Sequence, residues 1–233
     1  MHYYRLATLP LTCLGHPTNA QHDMLTQLLR DVERELHGSM PLHGFLSSDL
    51  GAPLPLHISL SRPLSLPTAD KDAFLNRLTS SIQGSGIEPF SVSPRGLAWY
   101  RSPDSERMFL ILRVAAHNLS ANDVTAPNPQ LLGLLTRCNT AATLFRQAPL
   151  YQRTSGEPVG TAFHVSIAWS FGRPGEEASL RALRVLKQRR YADVRAWEID
   201  VPAVKVKIGN VVHHVPLSAA GRKGPMGGEL FAV

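Results

Sequence analysis

The sequence predicts an α+β protein built on antiparallel sheets. Three observations carry this: alternating, strand-like segments are interleaved with amphipathic helical ones, neighbouring strand segments are joined by short turn-rich links, and the same order of elements occurs twice. The first helix is expected over Asp23 to His37, where Leu25, Leu28, Leu29, Val32 and Leu36 recur at spacings of three and four and Gly38 stops the run. Pro53 and Pro55 then lead into Leu56-His57-Ile58-Ser59-Leu60-Ser61, which alternates like a half-buried strand and ends before Pro63. Thr68 can cap a second helix carrying Phe74, Leu75, Leu78 and Ile82, with Gly84 and Gly86 ending it. Two strand-like runs follow, Phe90 to Tyr100 and Met108 to Val114, linked through Arg101-Ser102-Pro103-Asp104.

The second half repeats this order. A helix with Leu131, Leu134, Leu135, Cys138, Ala142 and Phe145 on its apolar side precedes a loop rich in turn formers and the strand Phe163 to Trp169. Arg173-Pro174-Gly175 opens a helix through Leu180, Leu183 and Leu186, and strands Trp197 to Ile208 and Val211 to Leu217 flank a Gly209-Asn210 hairpin turn. Helix, histidine strand, helix, strand, strand thus occurs twice, with His57 and His164 spaced 107 residues apart, and reads as a structural duplication. The expected organisation is one domain over 1–233 made of two pseudo-symmetric lobes. Each has an antiparallel sheet flanked by helices, one over roughly 20–115 with His57 and one over roughly 128–217 with His164; residues 218–233 form an irregular tail.

A chain of 233 residues with 43% apolar content can bury a sizeable core. No run approaches the ~20 apolar residues of a membrane span, and the N-terminus lacks the layout of a signal peptide, so neither membrane nor secretion is expected. Cys13 and Cys138 stand far apart outside any C-x-x-C spacing, which argues for buried thiols and against a disulfide framework or thiolate metal site. A net charge of +6 and a pI near 9.7 give the surface a positive field that attracts polyanions, nucleic acid among them.

His-x-Ser by itself is weak, because about one occurrence is expected by chance in such a chain. Three occur; His37-Gly38-Ser39 sits at a helix end and lacks strand alternation, whereas His57-Ile58-Ser59 and His164-Val165-Ser166 have it at matching places in the repeat. In a strand, alternate side chains share a face, so His57, Ser59 and Ser61 are expected together, and likewise His164, Ser166 and Ala168. If both faces line one cleft, two imidazoles can move protons in opposite senses near neutral pH while two hydroxyls donate to phosphate oxygens. That combination suits metal-independent cleavage of an RNA phosphodiester by its own 2′-hydroxyl, and calls for no cofactor. The alternative reading, two strand histidines each bonded to a serine, applies more readily to either motif alone than to the matched pair. No carboxylate or third histidine is placed to complete a metal site.

These paired motifs resemble those of the two-histidine phosphoesterases. The longer forms His57-Ile58-Ser59-Leu60-Ser61-Arg62 and Phe163-His164-Val165-Ser166-Ile167-Ala168-Trp169 are similar to the eukaryotic U6 small nuclear RNA phosphodiesterase family. Tyr100 followed by Arg107-Met108-Phe109-Leu110, then Leu150-Tyr151-Gln152, and Val206-Lys207-Ile208-Gly209-Asn210, agree with it, so the resemblance covers about residues 45 to 217. It implies a two-lobed fold with a central groove and 3′-to-5′ trimming of the uridine-rich end of U6 in the nucleus, leaving a cyclic or opened terminal phosphate. It also implies His57 and His164 as the catalytic pair, with His164 the base and His57 the acid, Ser59 and Ser166 as phosphate-binding hydroxyls, and Tyr151 stacked on the terminal base. The chain is expected to act on RNA as a monomer. A 2′,3′-cyclic phosphodiesterase and a non-enzymatic RNA-binding module are the alternatives. Outside the motifs, Lys205 and Lys207 read as a solvated strand face, His213 and His214 point opposite ways, and Trp169 and Trp197 read as core.

Overall fold

The computed structural model describes residues 3–6, 10–38, 40–102, 105–117, 128–151, 159–208 and 210–217. The tail from Ser218, residues 152–158 of the loop before the second histidine strand, Gly209 of the hairpin turn, and the side chain of Cys13 lie outside the described residues.

Thr18 begins the first helix, α1 (Asn19–Glu35), with a capping box: its hydroxyl accepts from the Gln21 amide at 3.2 Å, and the Gln21 side chain accepts from the Thr18 amide at 3.0 Å. The helix therefore starts four residues ahead of the predicted Asp23, and Thr18-x-x-Gln21 was a legible signal for it. After a two-residue β3 (His43–Gly44), the first histidine strand is β4 (Leu56–Ser59), followed by β5 (Leu64–Pro67). Thr68 opens a 3₁₀ turn instead of capping the helix directly, and α2 (Lys71–Gln83) ends at Gly84 as expected. Strands β6 (Phe90–Arg101) and β7 (Arg107–Ala116), helix α3 (Pro129–Leu144) and strand β8 (His164–Phe171) follow. Helices α4 (Glu176–Arg184) and α5 (Ala192–Ala196) lead to the last strands. The predicted strand Trp197 to Ile208 is broken by Pro202, which cannot donate to a ladder, into β9 (Ile199–Val201) and β10 (Ala203–Ile208). β10 then pairs with β11 (Val211–Pro216), Ile208 opposite Val211, as the hairpin spacing requires. Strands β1 (Tyr3–Leu6) and β2 (Pro10–Gly15) precede the elements assigned by pattern; β1 pairs with β5 and β2 with β4.

Among the described residues all strand pairings are antiparallel, in an α+β arrangement. The main sheet has the order β2-β4-β8-β7-β6-β9, with β3 also on β8, so β8 from the second half of the chain lies between β4 and β7 from the first. One face of this sheet carries Ile58, Leu110, Leu112 and Val165, which join α1 residues Leu25 and Leu28, α2 residues Phe74 and Leu78, and α3 residues Leu131 and Cys138 in a single core. Each such side chain, fully buried, stabilises the fold by about 1.5–3 kcal/mol. Trp197 packs against this core as predicted. Burial pushes the Cys138 thiol up to about 12, leaving it an inert apolar filler.

Two polar clusters fix helices to the frame. Buried Asp31 of α1 accepts from the Tyr191 hydroxyl and pairs with Arg190 at 2.9 Å and Arg34 at 3.0 Å. At the start of α3, buried Asn128 donates to the carbonyls of Val114 at 2.9 Å and Gly160 at 2.8 Å, tying the end of β7 to the turn that enters β8. Asn128→Ala strands both carbonyls in the interior, and should lower the free energy of unfolding in urea by about 1–3 kcal/mol with an unchanged m-value.

Candidate active site

The two histidine strands lie side by side. Ile58 of β4 pairs directly with Val165 of β8, both 1% exposed and both facing the core. One residue to either side, antiparallel progression sets Ser59 against His164 and His57 against Ser166, on the opposite, open face. All four predicted motif residues thus come together by strand register, each histidine facing the other motif's serine. Ser59 and Ser166 are half-buried, His57 keeps an exposed ring, and His164 is 9% exposed. Ser61 does not join them: it lies past the end of β4 and is 3% exposed.

Ala168 leaves the face as well. Opposite β7, Leu110 pairs with Ala168 but Ile111 pairs with Ser166, so Ile167 is an extra residue on β8. This β-bulge reverses the alternation, turning Ala168 into the core and Trp169 out to the face that bears His164. Trp169 is therefore not the core residue its composition suggested; it stands half-exposed beside His43.

His164 has the most constrained surroundings. Its Nδ1 lies 2.7 Å from the Ala162 carbonyl oxygen, which can only accept, so Nδ1 carries the proton and Nε2 presents a lone pair in the neutral ring. The phenol oxygen of Tyr151 lies 3.5 Å from the same Nδ1 and can only share that proton. Tyr151 sits edge-on to the Phe163 ring at 5.9 Å, in a left-handed backbone conformation (φ 55°) uncommon for an aromatic residue. Asn139 holds the segment before it in place, donating to the Leu150 carbonyl at 3.0 Å and accepting from the Leu150 amide at 2.8 Å. Burial, and the nearby Tyr100, raise the Tyr151 phenol above its ordinary range, so it stays protonated.

Two further residues complete the surroundings: Tyr100, which the family resemblance includes without a role, and Arg113, which it does not include. Tyr100 of β6 tilts over His164 with ring centroids 5.0 Å apart, and Arg113 of β7 pairs with His164 across the ladder. The Arg113 guanidinium donates to the Thr161 carbonyl at 3.3 Å. A single arginine inside the apolar run Met108 to Val114 was the available signal for it. Lys205, Lys207, His213 and His214 lie on the β10–β11 hairpin, a two-stranded sheet separate from the one that carries the four motif residues. Among the described residues, no group of three His, Cys, Asp or Glu side chains gathers to hold a metal.

His57 is exposed, yet the protein packed around it partly desolvates its ring and lowers its pKa. Burial also lowers that of His164; the Ala162 bond opposes this, and the positive charges of Arg113 and His57 add to it. Both rings are thus neutral to lower pH than a free imidazole, and a neutral His164 with the lone pair on Nε2 can accept a proton. In an NMR titration His164 should have a midpoint below 6.5, and Arg113→Met, which removes one of the charges opposing protonation, should move it upward.

Comparison with known proteins places this geometry in context. The chain is 38% identical to "U6 snRNA phosphodiesterase 1" of Neurospora crassa across 88% of its own length and 62% of that relative's, so it spans about three fifths of the protein it matches. Kluyveromyces marxianus Usb1, solved with uridine monophosphate, superposes with a TM-score of 0.61 at 18% identity, covering 92% of this chain and 98% of that one. Another structure of Kluyveromyces marxianus Usb1 superposes at 0.59, also at 18% identity, over 92% of this chain and 96% of that one. The structural likeness establishes the shared fold, and the sequence likeness carries the resemblance seen in the paired strands across most of the chain. Residues 15–216 match the family described as "HVSL: Uncharacterised conserved protein", and the chain belongs to that family.

Proposed function

We propose that this protein is a metal-independent RNA phosphodiesterase that trims the uridine-rich 3′ end of U6 small nuclear RNA from 3′ to 5′, in the nucleus and as a monomer. One observation carries the reading: the Ile58–Val165 pairing sets two histidines and two serines on one open face, each histidine opposite the other motif's serine. The 38% identity to a relative named U6 snRNA phosphodiesterase 1 supports the substrate. The net charge of +6 suits a polyanion.

Chemically, the neutral His164 Nε2 takes the proton from the 2′-hydroxyl of the penultimate nucleotide, and that oxygen attacks the adjacent phosphorus. The bond from phosphorus to the 5′-oxygen breaks, and protonated His57 supplies the proton that the leaving oxygen needs. The released nucleoside carries a free 5′-hydroxyl, while the shortened RNA ends in a 2′,3′-cyclic phosphate. Ser59 and Ser166 donate to the non-bridging oxygens, where negative charge gathers in the transition state. A bound phosphate beside His57 favours its charged form, offsetting the lowering that burial causes in the free protein. Tyr151, held by the Leu150 clamp and kept protonated, supplies the ring on which the terminal base stacks.

The reading is tested by incubating the protein with EDTA and a 5′-labelled RNA ending in oligouridine. A ladder of stepwise shorter products with cyclic phosphate ends is expected; no cleavage, or cleavage only with added divalent metal, overturns the proposal. His57→Ala and His164→Ala should each lower kcat by roughly 10²- to 10⁴-fold while RNA binding persists. Because burial lowers both free imidazoles, and kcat/KM reports the free enzyme, its profile should peak on the acid side of pH 6.5. A maximum well above neutrality would contradict the acid–base pair.

A further inference from the structure

The open face that bears His57 and His164 does not end at Ser166. Past the Ile167 bulge it continues as an aromatic surface with Arg107 over one of its rings. Phe109 and Trp169 pair across β7 and β8, and Phe45 stacks on Phe109 with centroids 6.0 Å apart. His43 of β3, opposite Trp169 in register, stacks on its indole at 4.3 Å and 23°. The Arg107 guanidinium lies 4.2 Å from the Trp169 ring centre, and Phe171 stands edge-on to that ring at 5.0 Å with 60% of its surface exposed. His43 and Arg107 are exposed too. Without the bulge, Trp169 and Phe171 would point into the core and this surface would not exist.

We infer that the His43–Trp169–Phe171–Arg107 surface is a second RNA-binding subsite, which stacks the bases of single-stranded nucleotides on the 5′ side of the cleaved bond. The inference rests on the RNA phosphodiesterase reading above. Tyr151 contacts the start of β8 at His164, and Trp169 lies five residues further along the same strand, about 16 Å at ~3.3 Å per residue. A 3′ nucleotide at the Tyr151 end therefore sends the preceding nucleotides along the face toward Trp169. Exposed aromatic rings are costly in water, and here they lie beside an arginine: that pairing fits a ligand with flat apolar faces on an anionic backbone. Stacking accepts any base, so the subsite measures the length of the unpaired end and leaves base choice to the reaction centre.

The test compares oligouridines of two and eight nucleotides carrying 2′-deoxyribose at the penultimate position, which prevents cleavage. Binding is read by fluorescence anisotropy in EDTA. The wild-type protein should bind the octamer at least tenfold more tightly than the dimer, and Phe171→Ala and Arg107→Ala should each cut that length-dependent gain severalfold, the double variant by about tenfold. Phe171→Tyr, which keeps the ring, should restore it. The inference is overturned if the wild-type protein gains nothing from added length, or if the variants weaken dimer and octamer equally. It is also overturned if Phe171→Ala keeps the full gain. Failure of the underlying reading has a different signature, namely no laddering of the cleavable RNA by the wild-type protein.

Discussion

The rest of the site depends on one cross-strand contact, Ile58 against Val165. Both side chains are buried on the core face, and because neighbours in a strand point oppositely, burying this pair forces the residues before and after it onto the open face. Slipping either strand by one residue would bury that strand's histidine and serine without partners and expose its aliphatic anchor. The hydrophobic core is thus what holds the reactive groups in register. The helices α1, α2 and α3 complete that core, and α3 also holds the Tyr151 segment through Asn139.

The same placement sets the electrostatics. The protein surrounding each imidazole partly desolvates it, His57 less completely than His164, which disfavours the charged form, and the nearby Arg113 adds to this at His164. The Ala162 carbonyl opposes the shift yet chooses the tautomer, leaving Nε2 as the available lone pair. The asymmetry between the two histidines arises from these neighbours, since their motifs are nearly identical. His57 has a more open ring, and its state responds more to what binds beside it.

The Ile167 bulge divides β8 into two stretches with opposite alternation. Its first stretch supplies His164 and Ser166, its second Trp169 and Phe171, and both pairs stand on one face because a single extra residue intervenes. A regular strand would have placed one of the pairs in the core. Bulges bend and twist the strand that carries them, and here the insertion lets eight residues serve both a polar reaction centre and an aromatic surface.

Much was legible in the sequence, for a local reason. Amphipathic spacing at α1, α2 and α3, alternation at both histidine strands and the Ile208–Val211 hairpin are short-range patterns, and each is set by which residues can be buried or can turn. The paired His-x-Ser strands, and the family they resemble, were visible on the same grounds. Strand partnership was not: ladder hydrogen bonds join segments far apart in the chain, so the insertion of β8 between β4 and β7, and hence the facing of His57 with Ser166, emerged only from the fold. Nor could alternation within β8 reveal the bulge, because the extra residue is defined against β7, 55 residues upstream at Ile111–Ser166. The sequence by itself determined which residue types were available for the chemistry and on which strands they lay. The tertiary structure decided which of them share a face, which nitrogen of His164 is free, and that Trp169 stands in the open instead of in the core.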